Sequence, residues 1–159
     1  MKVRVFVNAG FGALLAGATF AQEPNWSVQM ASNDDANSPR CFLKTPDIVI
    51  DDEQGETTMS LRVDNERMIV ITDSNIDAGF GDLTIEVDGK GTIPADSVLS
   101  GKNVLFESQI IKILEQFAAG RRVAVRLRFW PTWPTTGVKT AHFSLIGFTK
   151  AEARLTDCG

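Results

Sequence analysis

Short runs of alternating apolar and polar residues recur along most of this chain, and they constrain its fold more than any other feature. The clearest run is RRVAVRLRFW (121–130), in which every second residue is apolar: Val123, Val125, Leu127 and Phe129. The same alternation occurs in NWSVQMA (25–31), TTMSLRVD (57–64), LTIEVDG (83–89) and VKTAHFSL (138–145). This pattern predicts half-buried β-strands. The continuous apolar run RMIVITD (67–73) predicts a more deeply buried strand, joined to the preceding one by a turn at Asp64-Asn65.

One segment has a helical period instead. In SQIIKILEQFAAG (108–120), apolar residues recur at spacings of three and four, which predicts a helix over about 108–119. Ser108 is suited to capping its start and Gly120 to ending it. FTKAEARL (148–155) predicts a last short helical turn. Strands dominate, so we expect a mainly β fold, an antiparallel β-sandwich or partly open barrel with one packed helix.

The first 21 residues have the organisation of a secretory signal peptide. Lys2 and Arg4 precede an apolar stretch, and Thr19 and Ala21 are small residues at the expected cleavage positions. We therefore expect a signal peptide at 1–21, a single β-rich domain at 22–159, and a periplasmic or secreted location. The whole chain carries a net charge of −4, and an acidic domain argues against nucleic acid as a partner.

The chain contains two cysteines, Cys41 and Cys158. In an oxidising compartment the expected arrangement is one disulfide between them. Reactive or metal-binding thiols are the alternative, but the sequence has no C-x-x-C pair and one histidine, His142.

The sequence does not indicate an enzyme. His142 alternates with apolar neighbours on a predicted strand, and no nucleophile–base pattern accompanies it. We expect no catalytic residue, no cofactor and no metal site. An acidic segment could bind a cation, although a solvated hairpin tip is favoured because its spacing matches no calcium loop. Its acidic residues include Asp47, Asp51, Asp52 and Glu53.

The predicted binding site combines arginines with tryptophans. Arg122, Arg126 and Arg128 share one face of a predicted strand, and they could receive a carboxylate, a phosphate or an acidic surface. The alternative is that they pair with acids on neighbouring strands. Trp130 and Trp133 follow, each before a proline, and each either binds a partner or folds back over the sheet. Trp133 at the tip of the loop is the better candidate for exposure, whereas Trp130 follows the polar side of the strand and is expected to lie over Arg128 or to cover the sheet.

Three segments carry a resemblance to a known family. These are NWSVQMASNDDANSPRCFLKT (25–45), VLFESQIIKILEQFAAGRRVAVRLRF (104–129) and SLIGFTKAEARL (144–155). Their order resembles the invasion-associated locus B family of exported bacterial proteins. The chain departs from the family pattern at Met30, where the family has a cysteine, and it lacks the cysteine pair usual in the middle of the family. Cys41 matches the family's second cysteine position.

The resemblance implies a periplasmic or surface-exposed β-rich domain without established catalytic residues, linked in some members to entry into host cells. We therefore expect an exported, non-catalytic binding protein whose partner is a protein of the envelope or of a host surface. The alternative is a carbohydrate- or small-ligand-binding module that uses an exposed tryptophan loop.

Overall fold

The computed structural model describes residues 24–30, 41–131 and 137–158. The predicted signal peptide, its cleavage position and Trp133 lie outside these residues. In the described part of the chain, no helix is long and apolar enough to cross a membrane.

The larger of two antiparallel sheets has seven strands, in the order β1-β2-β4-β5-β9-β8, with β3 also beside β4. Strands β2 and β3 pair with opposite ends of β4, because the segment around Pro46 interrupts what would otherwise be one continuous strand. The predicted hairpin of β4 and β5 is confirmed. The strands are β1 (Ser27–Met30), β2 (Cys41–Lys44), β3 (Ile48–Asp51), β4 (Glu56–Val63), β5 (Met68–Thr72), β8 (Ser97–Leu99) and β9 (Asn103–Phe106).

The smaller sheet has four strands in the order β11-β10-β6-β7. They are β6 (Thr84–Val87), β7 (Thr92–Pro94), β10 (Arg122–Leu127) and β11 (Lys139–Ser144). Apolar residues from both sheets form one buried cluster, so the predicted antiparallel sandwich is confirmed. Over the described residues the strands form two open sheets rather than a closed barrel.

The alternating pattern of β10 corresponds to one buried face and one exposed face. Val123, Val125 and Leu127 are buried in the core, whereas Arg122 and Arg126 are exposed on the opposite face. A strand turns successive side chains to opposite sides, so its outward residues form a row on the outer face of the smaller sheet.

In the part of the chain that the structure describes, two helices pack beside the sheets at one end. They are α1 (Ile110–Ala119) and α2 (Phe148–Thr156). Trp26 lies between them, with its ring centroid 6.1 Å from that of Phe117 in α1 and 5.1 Å from that of Phe148 in α2. The short helix predicted over 148–155 is confirmed, since α2 ends only one residue later, and its residues Phe148 and Ala151 are buried against the rest of the domain.

The predicted disulfide between Cys41 and Cys158 is confirmed. The two Cα atoms are 6.2 Å apart, within the range that a disulfide requires. The bond joins β2 to the residues that follow α2, and it closes a loop with a sequence separation of 117.

Candidate functional site

Several loops meet at the end of the sandwich that lies away from the two helices. We call this surface the loop end and define it by the β3–β4 turn (52–55), the β5–β6 loop (73–83) and residues 128–131. Hydrogen bonds join these segments directly. The backbone N–H of Trp130 donates to the carbonyl of Asn75 at 2.8 Å, and the side-chain amide of Gln54 donates to the carbonyl of Trp130 at 3.0 Å.

Hydrogen bonds fix the backbone of Trp130, whereas its side chain is exposed. Its N–H and its carbonyl are both bonded to neighbouring loops, yet the residue is 58% exposed. A large aromatic side chain that stays in water on a fixed backbone has a favourable surface to bury against a partner. Of the two predicted tryptophans, Trp130 is therefore exposed, whereas Trp133 lies outside the described residues.

Arg128 belongs to the loop end but is not a free cation. Its Nε donates to the carboxylate of Asp82, and its guanidinium lies over the Phe80 ring, 4.8 Å from the centroid. Phe80 is itself 60% exposed. Sequence reasoning missed Phe80, and the available signal was a large aromatic residue between two glycines, Gly79 and Gly81.

Arg126 lies further along the outer face of the smaller sheet. It is 45% exposed, and its guanidinium is 3.9 Å from the carboxylate of Glu86 on β6. Thr84 and Thr140 are its cross-strand neighbours. A shallow depression of about 460 Å³ lies around these three residues, and its lining also contains Asp82, Thr92 and Val138.

The structure separates Arg122 from the other predicted site residues. Arg122 pairs with Ser144 at the far end of β10, and its backbone N–H donates to the Asp88 carboxylate at 3.0 Å. Six residues of extended chain separate it from Arg128, roughly 20 Å at the usual rise per residue. Arg126 and Arg128 are each paired with an acidic side chain, which was the alternative to a binding role. The three arginines therefore do not form a continuous, uncompensated positive surface.

The acidic segment is occupied by contacts within the protein. Asp47 forms an ion pair with Lys44 at 3.0 Å, which holds the pKa of that carboxyl below its ordinary value. Lys139 approaches the carboxylates of Glu53 at 3.0 Å and Asp51 at 3.8 Å. Within the described ranges, no group of three or more acidic, histidine or cysteine side chains is placed to hold a metal ion.

Asp52 links two of the loops that form the loop end. Its carboxylate accepts a hydrogen bond from the Ser74 hydroxyl and another from the backbone N–H of Gln54 at 2.9 Å. The pKa of Asp52 is lowered, chiefly by the Ser74 hydroxyl. Asp52 is buried, so its carboxylate holds the two loops together by hydrogen bonds and is not accessible to a ligand.

His142 lies on the outer face of β11, exposed and across from Ala124 of β10. An exposed strand position fits the alternation of His142 with its apolar neighbours in the sequence.

A comparison with solved structures finds a similar fold in the crystal structure of invasion associated protein B from Bartonella henselae. The TM-score is 0.54 at 17% identity, over 84% of this chain and 92% of that chain. At this identity the likeness shows the fold, and the fold is the part of the predicted resemblance that is confirmed. No protein-family model and no curated protein matches the chain.

Proposed function

We propose that this chain is an exported, non-catalytic binding protein that contacts a protein partner through the loop end. The observation that carries the proposal is the exposure of two large aromatic residues, Trp130 and Phe80, on adjoining loops. Arg128 connects these loops because it lies two residues from Trp130 and stacks over Phe80.

The chemistry of the loop end favours a protein partner. Tryptophan and arginine are enriched among the residues that carry most of the binding energy in protein interfaces. Backbone hydrogen bonds hold the loop end in place, so less conformational entropy is lost when a partner binds. A buried carboxylate also joins two of its loops, at Asp52.

Two observations support a partner outside the cytoplasm. A disulfide is typical of proteins in oxidising compartments. The structural neighbour is called an invasion associated protein, which suggests a partner in the bacterial envelope or on a host surface. Export itself rests on the signal peptide predicted at 1–21.

The test compares proteins captured by the wild-type chain and by Trp130→Ala and Phe80→Ala variants. Ile111→Ala is the matched control, since Ile111 is 73% exposed but lies on α1. The protein is crosslinked in its native cells and on host cells, and each captured partner is purified for titration. We expect each loop-end variant to weaken binding about thirtyfold, the effect of a residue worth roughly 2 kcal/mol.

The Ile111→Ala control should bind as the wild type does. Equal affinity of the wild type and both loop-end variants for every purified partner would contradict the proposal. Circular dichroism of each variant separates a lost contact from a lost fold.

A specific observation also favours a second candidate, a neutral glycan bound in the depression around Arg126. Its lining offers the hydroxyls of Thr84, Thr92 and Thr140, an arginine donor and a carboxylate acceptor. A sugar needs hydrogen-bond donors and acceptors placed together, and this lining supplies both. A glycan array that reports binding abolished by Arg126→Ala but kept by Phe80→Ala would favour this candidate over the protein partner.

A further inference from the structure

A cleft lies at the opposite end of the sandwich from the loop end, between the start of β1 and helix α2. Its volume is about 390 Å³, which falls within the range of small-molecule sites. The segment that leads into β1 forms one wall, and α2 with the residues just before it forms the other. Trp26 fixes the two walls together, because its indole N–H donates to the carbonyl of Ser144 at 2.9 Å.

The inner part of the cleft is apolar. Trp26 and Ala151 are each only 4% exposed and form its base. Ile146 stands beside them, 68% exposed, although it immediately follows buried Leu145. An apolar side chain that is this exposed beside a concave surface gains free energy when a ligand covers it.

The outer part of the cleft is cationic. Lys150 and Arg154 lie four residues apart, so they project from the same side of α2 as Ala151. No acidic side chain is among the lining residues, and within the described residues neither cation has an ion-pair partner. Two like charges at this spacing repel each other and destabilise a helix slightly, and a bound anion would offset that repulsion.

We infer that this cleft binds a small amphipathic anion, a carboxylate attached to an apolar body. The apolar body would lie against the base formed by Trp26 and Ala151 and would cover Ile146. The carboxylate would pair with Lys150 and Arg154. A compact inorganic anion matches only the outer part, because it would leave the exposed side chain of Ile146 uncovered. A purely apolar ligand matches only the base, because it would leave the two cations without a counter-charge.

Fluorescence of Trp26 provides a direct measurement. The chain contains three tryptophans, so Trp130→Phe and Trp133→Phe together leave Trp26 as the single indole reporter. Octanoate is titrated into this protein beside three probes that each change one property. Octanol lacks the charge, octylamine has the opposite charge, and acetate lacks the apolar body.

We expect saturable binding of octanoate and at least tenfold weaker binding of each of the other three probes. Lys150→Gln with Arg154→Gln should weaken octanoate binding at least tenfold, and Ile146→Ser should weaken it several-fold. The matched control is Lys90→Gln with Lys112→Gln, which removes the same charge at exposed positions outside the cleft. It should bind octanoate as the parent protein does.

Three results would overturn the inference. They are no saturable octanoate binding up to about 10 mM, equal binding of octanol or octylamine, or an affinity that the Lys150 and Arg154 substitutions leave unchanged. The outcome is independent of the proposed partner surface, because the reporter protein already lacks Trp130.

Discussion

Gly120, between α1 and β10, occupies a place where no side chain fits. A Cβ atom there would lie 2.5 Å from Cγ1 of Val87 and 2.7 Å from the carbonyl oxygen of Gln116. Its backbone has a φ of −95°, which any residue adopts. The prediction that the helix ends at Gly120 is confirmed. Glycine is required there because a side chain would not fit, not because the backbone is left-handed.

Replacing Gly120 by alanine should therefore destabilise the fold. The methyl group forces Val87 or the last turn of α1 to move, and overpacking of this kind costs about 1–3 kcal/mol. The measurement is the free energy of unfolding from urea titration. Gly55→Ala is the control, since nothing lies within 4 Å of a Cβ there and its φ is not in the left-handed region. A Gly120→Ala loss no larger than that of the control would contradict the close approach.

The exposure and the partners of a site residue can be predicted from sequence only where residues nearby in the chain determine them. The sequence favoured Trp133 as the exposed tryptophan and placed Trp130 over Arg128 or the sheet, whereas Trp130 is 58% exposed. The pairing of Arg126 with Glu86 and of Arg128 with Asp82 depends on which strand and loop lie beside β10. A single sequence shows that acids are plentiful, but it does not show which of them becomes a neighbour.

At the scale of elements, the start of helix α1 is held by a residue from another segment. The carboxylate of Asp96, between β7 and β8, accepts the backbone N–H of Glu107 at 2.6 Å and that of Ser108 at 3.0 Å. The predicted capping role of Ser108 is wrong, because the helix begins at Ile110 and no side chain caps its own first turn. Local spacing could not reveal a bond across eleven residues.

Asp96→Ala should lower the free energy of unfolding at neutral pH by about 1 kcal/mol, the usual net contribution of a lost hydrogen bond. The hydrogen bonds from Glu107, first, and from Ser108 lower the pKa of Asp96 in the folded state. A lowered folded pKa means that the contribution is complete above the ordinary carboxyl pKa near 4 and is lost as the pH falls below it.

Urea titrations of the wild type and of Asp96→Ala between about pH 7 and pH 2 measure this dependence. The difference between the two proteins should shrink as the pH falls below about 4. A difference that stays constant over this range would mean that the ionised carboxylate is not what holds the helix start.

The strands themselves were largely predictable, and their order was not. Alternation in RRVAVRLRFW follows from burial on one face, which the sequence records directly. The turn after β4 was also visible, and there the Asp64 carboxylate accepts the backbone N–H groups of Glu66 and Arg67. The pairing of β6 with β10 rests on contacts between segments far apart in the chain, which periodicity does not encode.

At the scale of the whole molecule, the sandwich separates two surfaces of different chemistry. The loop end offers exposed aromatic residues whose neighbouring arginines are already paired with acids. The cleft beside α2 offers cations over an apolar base. Changes at one surface should leave the other intact, because the buried core lies between them.

The disulfide between Cys41 and Cys158 acts on the whole chain, because its closed loop contains most of the described residues. Replacing both cysteines by alanine frees the unfolded chain and should lower the free energy of unfolding by about 4–5 kcal/mol. This is a large fraction of the roughly 5–15 kcal/mol that stabilises a typical domain.

Unfolding in urea, with and without dithiothreitol, tests this last prediction. Reductant should bring the wild type to the stability of the double alanine variant and should leave the variant itself unchanged. Because the bond holds the end of α2 against β2, the variant should also lose octanoate binding at the cleft before it loses the β-sheet signal in circular dichroism. Equal stability of the variant and the oxidised wild type would show that packing of Phe148 and Ala151 alone keeps α2 in place.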